Sequence, residues 1–160
     1  MTTRLVHTLT YDADAATSAA MLADPEFREQ VCRSQLATSH QVSIEGSPGP
    51  GMQVHVQMTL PTDKVPSFAK KIVGTETTLV QTEEWQSASE ARVSMAIPGK
   101  PGEIRGTSVL AEADGRTTRT VTLDITIKIP LVGGKIEDLI SKLLGSALRA
   151  EERTAKEYLA

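Results

Sequence analysis

From Lys135 to Leu159 the chain carries one long amphipathic pattern, and this stretch most limits what the rest can fold into. Ile136, Leu139, Ile140, Leu143, Leu144, Ala147 and Leu148 recur at intervals of three and four, so they share one face of a helix for three turns. Glu137 and Asp138 stand in the first turn, where they complement the positive end of the helix dipole. At 1.5 Å per residue the helix is about 36 Å long, enough to cross a small domain. An apolar face of that length needs an equally long apolar surface to cover it. The stripe continues through Ala155, Tyr158 and Leu159, interrupted by Glu151 and Thr154, and Gly145 offers a place for a bend or a close contact.

Strands can supply that surface. In "MQVHVQMTL" Met52, Val54, Val56, Met58 and Leu60 alternate with Gln53, His55, Gln57 and Thr59, and in "VTLDITIKI" Val121, Leu123, Ile125, Ile127 and Ile129 alternate with polar residues. Each reads as a strand with one covered face. Strand-like runs are expected near 36–46, 51–60, 75–86, 89–97, 103–113 and 117–129, punctuated by "GSPGPG", "PGKPGE" and "ADGR". Their short connections imply antiparallel pairing. Before them, "RLVHTLTY" reads as a strand and the following helix formers as two short helices divided at Pro25. Asp12 or Asp14 is placed to cap the first helix and Asp24 the second. Val65, Phe68, Ala69, Ile72 and Val73 predict one further short amphipathic helix.

Length and charge bound the function. A chain of 160 residues is most simply one domain, residues 1–160, burying roughly 68–70% of the surface its unfolded chain exposes. A formal net charge of -3 with scattered lysines and arginines argues against nucleic acid as a partner, because phosphate neutralisation needs clustered cations. Cys32 is the only cysteine and no histidine pair or carboxylate cluster accompanies it, so neither a disulfide nor a metal site is expected, and no cofactor is implied. No apolar run reaches the length of a leader or a membrane span. The expectation is a cytoplasmic protein of undetermined oligomeric state. Aromatic residues make up only 3%, so Val, Ile, Leu, Met and Ala must fill the interior or leave part of it open.

"KIPLVGGKIEDLI" joins the last strand to the long helix and superficially suggests a phosphate loop. Lys135 is followed by Ile136 rather than by a hydroxyl residue, and no third glycine completes a dinucleotide fingerprint, so Gly133 and Gly134 read as a structural hinge. With strand, two helices, six strands and one long helix in that order, with "LVQTEEWQS" and "IPLVGGKIE" within it, the sequence resembles the START/Bet v 1-like helix-grip superfamily, which also holds polyketide cyclases. Within it the chain is similar to a domain-of-unknown-function family of mainly actinobacterial sequences. The resemblance implies an α+β fold: a seven-stranded curved antiparallel sheet wrapped around the C-terminal helix, with a hydrophobic cavity between them. Gly106 inside "EIRGTSVLA" can supply a break for the curvature.

On that fold the expected activity is binding, carriage or sensing of a lipid or other hydrophobic small molecule. Two alternatives stand beside it: a cyclase- or dehydratase-like enzyme, and a filled core that acts through protein contacts. Parity and spacing select Met58, Leu60, Trp85, Met95, Ile125, Ile127, Leu139 and Leu143 as cavity wall, with Phe68 and Ile72 as a possible gate. No catalytic signature is present. The candidates an enzyme would use are Glu83, His7 and Tyr11. Glu83 shares a face with Leu79 and Trp85, and if that face is inward, desolvation is expected to raise its pKa as a general acid requires.

Overall fold

A computed structural model describes all 160 residues. The order of elements is β1 (Thr3–Tyr11), α1 (Ala15–Leu22), α2 (Pro25–Ser34), β2 (Ser39–Glu45), β3 (Gln53–Pro61), α3 (Ser67–Val73), β4 (Glu76–Trp85), β5 (Glu90–Ala96), β6 (Glu103–Ala113), β7 (Arg116–Thr126) and α4 (Gly133–Leu159). The strands form one antiparallel sheet in the order β1-β7-β6-β5-β4-β3-β2. β1 thus closes against the last strand, and the two helices after it lead across to the opposite edge. α4 packs on β1, β7 and α2 on the inner side of the sheet.

Local chemistry explains the boundaries. The Asp14 carboxylate accepts the Thr17 amide at 2.8 Å and the Asp24 carboxylate that of Glu26 at 2.9 Å, so each aspartate caps its helix. Leu36, at φ 64°, ends the turn after α2 in a left-handed conformation. Asp114 and Gly115 both have positive φ and join β6 to β7 in a two-residue hairpin, with Ala113 paired to Arg116. Inside β6, a side chain at Gly106 would collide with the Thr122 carbonyl oxygen, so only glycine lets β6 and β7 approach so closely there.

The sheet alternates as the sequence requires. Met52, Val54, Val56, Met58, Ala91, Val93, Met95, Val121, Leu123 and Ile125 are all buried in one cluster with Leu144 and Leu148 of α4. The last strand stops at Thr126, three residues short of the apolar alternation. The reason lies in the joint that follows: the Ile127 amide donates to Glu137 at 3.0 Å, and the Thr3 hydroxyl donates to the same carboxylate at 2.9 Å. A buried acid near the start of α4 thereby takes up the backbone group that another strand residue would have used. The helix also starts at Gly133, two residues before the amphipathic pattern.

The two glycines of the joint are unequal. A Cβ at Gly133 would lie 2.6 Å from the Ile127 carbonyl oxygen, whereas one at Gly134 would meet only the flexible Met1 side chain, its Sδ 3.2 Å away. Steric constraint on the hinge is therefore concentrated at Gly133.

Candidate functional site

The inner face of the sheet and the long helix do not close on each other along their whole length. A cavity of about 490 Å³ lies among the end of α2, the β3–α3 connection, α3 and α4, with Leu36, Leu60, Val65, Val73, Ile136 and Leu139 on its wall. A second chamber of about 160 Å³ lies deeper, against Met58, Leu79, Met95, Ile104, Leu123 and Leu148. The two share Gln35, Leu60, Thr77, Ile97, Ile140, Leu143 and Ala147, so they adjoin across a mainly apolar wall. A niche of about 50 Å³ adjoins them where Ile72, Met95, Ile127 and Ile129 meet.

The structure distributes the residues selected from sequence as follows. Met58, Leu60, Met95 and Leu143 line the deeper chamber, Leu60, Leu139 and Leu143 the larger one, and Ile127 and Ile72 the niche. Trp85 and Ile125 are on none of these three walls; both are buried in the packed core. Phe68 is not on them either, since its ring receives the Lys135 ammonium 4.7 Å from its centroid. Parity located the inward face correctly for these strands, but depth along a strand decides whether an inward residue meets space or another side chain.

At the closed end of the deeper chamber the core turns ionic. Arg28 of α2 binds Glu83 of β4 through both oxygens, at 2.7 and 2.9 Å, and donates its Nε to the Leu22 carbonyl at 2.8 Å. Glu83 also accepts from Gln81 Nε2 at 2.7 Å and from the Trp85 indole at 3.2 Å. Arg119 of β7 donates to Ser108 and to Glu151 of α4, each at 2.8 Å, and to the Tyr11 hydroxyl at 3.3 Å. Its second terminal nitrogen faces Glu83 at 3.9 Å. Two guanidiniums and two carboxylates thus balance in a buried site.

This arrangement reverses the expectation for Glu83. Burial alone would push its carboxyl up, but the Arg28 charge and hydrogen bonds outweigh it, with help from Arg119 and Gln81, and the carboxyl is held down at about 2. An acid so firmly ionised has no proton to give near neutrality, so Glu83 is unsuited to the general-acid role. Burial raises the Tyr11 hydroxyl above its ordinary value despite Arg119 beside it. It likewise pushes the Cys32 thiol up to about 11, leaving it a neutral, buried group. His7 has a buried Nε2 with no hydrogen-bond partner, so no carboxylate orients the ring through that atom. No group of three or more His, Cys, Asp or Glu side chains is gathered as a metal site would require.

Arg28, Arg119 and Gln81 are not expected from the sequence as parts of one site, and Glu151, which interrupts the apolar stripe of α4, is one of its members. A signal was present. Arg119 lies between Thr117 and Val121 on the inward parity of β7, and Glu151 between Leu148 and Ala155 on the inward face of α4. Charged residues at such positions are stable only as partners.

No helix is long and apolar enough to cross a membrane. No curated protein matches the sequence. Among solved structures, a START superfamily protein from Mycobacterium smegmatis superposes with a TM-score of 0.64 at 15% identity, covering 98% of this chain and 99% of that one. The protein TTHA0849 from Thermus thermophilus superposes with a TM-score of 0.65 at 18% identity, over 96% and 97% of the two chains. The di-domain ARO/CYC protein StfQ of the steffimycin biosynthetic pathway gives 0.69 at 12% identity, over 98% of this chain and 50% of that one. At such identities the likeness establishes the fold, which is the START/Bet v 1-like helix grip. The sequence profile of one family, described as Protein of unknown function (DUF2505), matches residues 6–159, and the chain belongs to that family.

Proposed function

We propose that this chain binds a lipid or other hydrophobic small molecule in the space between sheet and α4, and carries or senses it in the cytoplasm. The observation that carries the reading is the pair of adjoining chambers, about 490 and 160 Å³, whose hydrophobic lining is mainly Leu, Ile, Val and Met. A space of several hundred Å³ lies in the usual range for small-molecule sites, about 300–1,000 Å³. An alkyl chain of about ten methylenes leaving water for such a wall gains roughly 8 kcal/mol before the cost of association. Methionines at 58 and 95 give part of the wall an adaptable surface, which suits ligands of varied outline. The START-superfamily and ARO/CYC neighbours support a reading in which this scaffold serves apolar molecules.

The test is native mass spectrometry on freshly purified protein together with titration of an environment-sensitive fluorescent lipid. Binding is expected in the wild type, with at least about a tenfold loss in Ala147→Trp, whose indole would enter both chambers. Failure of the wild type to take up any apolar probe, with no co-purifying molecule, would overturn the reading in favour of a filled-core protein acting through its surface.

A further inference from the structure

The deeper chamber is not apolar throughout, and the polarity of its wall has a direction. Along β4 the inward residues run Thr77, Leu79, Gln81, Glu83, Trp85, so Gln81 marks the end of the chamber nearest the ionic cluster. Along α4, Ile140, Leu144 and Leu148 lead in the same sense to Glu151. Four polar side chains touch this chamber: Gln35, Thr77, Gln81 and Glu151. Thr77 and Gln35 also line the larger chamber and so stand on that side of the deeper one, the Thr77 hydroxyl oxygen buried without a hydrogen-bond partner; only Gln81 and Glu151 stand at the inner end.

The amides and the carboxylate of this wall have their bonded groups directed elsewhere. Gln81 Nε2 is held by Glu83, and because a carboxylate only accepts, the amide must turn its oxygen away from that contact. Gln35 Nε2 donates to the Ala147 carbonyl at 3.3 Å. Glu151 has a side chain that is only 9% exposed and gives one oxygen to Arg119; the other oxygen has no protein partner. The nearby cations are equally committed. Arg28 uses all three of its nitrogens, and the one Arg119 nitrogen without a short bond faces Glu83 rather than lining the chamber.

Resting on the proposed apolar-ligand reading, we infer that Gln81 and Glu151 form an acceptor floor that selects apolar ligands carrying a terminal hydroxyl. A hydroxyl delivers one hydrogen to a waiting oxygen and adds no charge. A carboxylate at the same place would face the Glu151 charge with no cation to spare. An ammonium would bring a third cation beside a cluster whose two guanidiniums are already matched by two carboxylates, after losing its own hydration. Entry from the α3 end then places the hydroxyl innermost and the alkyl part towards Leu139 and Leu143.

The experiment uses the full chain and four ten-carbon competitors, decane, 1-decanol, decylamine and decanoate, displacing a neutral apolar fluorophore. Decanol is expected to displace it at about tenfold lower concentration than decane, with decanoate and decylamine weaker than decanol. Gln81→Leu should bring the decanol-to-decane potency ratio close to one. Glu151→Gln should narrow the same ratio, and the Gln81 variant keeps the test open if loss of the Arg119 pair prevents folding. Equal potency of decane and decanol in the wild type, or decanoate or decylamine as the strongest competitor, overturns the floor while leaving the apolar cavity standing. Displacement by none of the four overturns both.

Discussion

Glu83 shows how one residue's environment inverts its chemistry. It is fully buried, yet the charges and hydrogen bonds of Arg28, Arg119 and Gln81 keep it ionised at about 2, below its ordinary value of 4.5. A carboxylate depressed in the folded state stabilises the fold above its unfolded pKa and loses that contribution as pH falls through the folded value. The acid limb of unfolding should therefore steepen between about 4.5 and 2, by an amount on the order of 3 kcal/mol, and Glu83→Gln should flatten it. At neutral pH the same substitution leaves Arg28 partly unpaired in the core, and chemical denaturation should report a loss of about 3–5 kcal/mol. None of this was legible locally. "TEEW" gives the inward parity of Glu83, but its charged partners come from distant stretches of chain, on α2 and β7, and only the folded chain brings them together.

Among the elements, the strands and the long helix were legible because their apolar periods of two and three-to-four are written in consecutive residues. The joint between β7 and α4 was legible in kind but not in detail. Both glycines read as hinge, while the backbone approach that makes Gly133 irreplaceable depends on where Ile127 ends up in three dimensions. Gly133→Val is expected to lower stability by about 1–3 kcal/mol in urea titration through displacement of the helix start. Gly134→Ala, facing only Met1, should stay within about 0.5 kcal/mol. Glu137→Ala should cost about 1–3 kcal/mol, because it strips the Ile127 amide of its acceptor. At the far end of α4, Tyr158 stacks edge-on against Phe27 at 5.3 Å and donates its hydroxyl to Asp24 at 2.5 Å, so the helix is fastened at both ends, with the cavity against Leu139 and Leu143 between them.

For the whole molecule, the space beside α4 makes stability a reporter of occupancy. An apolar ligand at a hundred times its Kd should add about 2.7 kcal/mol to the folded state, read as a rise in Tm of roughly 5–10 °C for a chain of this size. A nucleotide should give no rise. The order of elements, the antiparallel sheet and the covering helix could be read from the sequence, whereas the size of the space could not, since it is a difference between two surfaces rather than a property of either. The ionic cluster adds a consequence of another kind. It carries its own counter-charges, is enclosed by core side chains, and is anchored on α2, β4, β7 and α4, so it fixes the geometry of the closed end whatever stands at the entrance. Ile97 and Leu139 are only partly buried, Leu143 is exposed, and none of the three bears any of that load. The entrance is therefore free to be recut, by inheritance or by engineering, for guests of different girth while the foundation stays as it is.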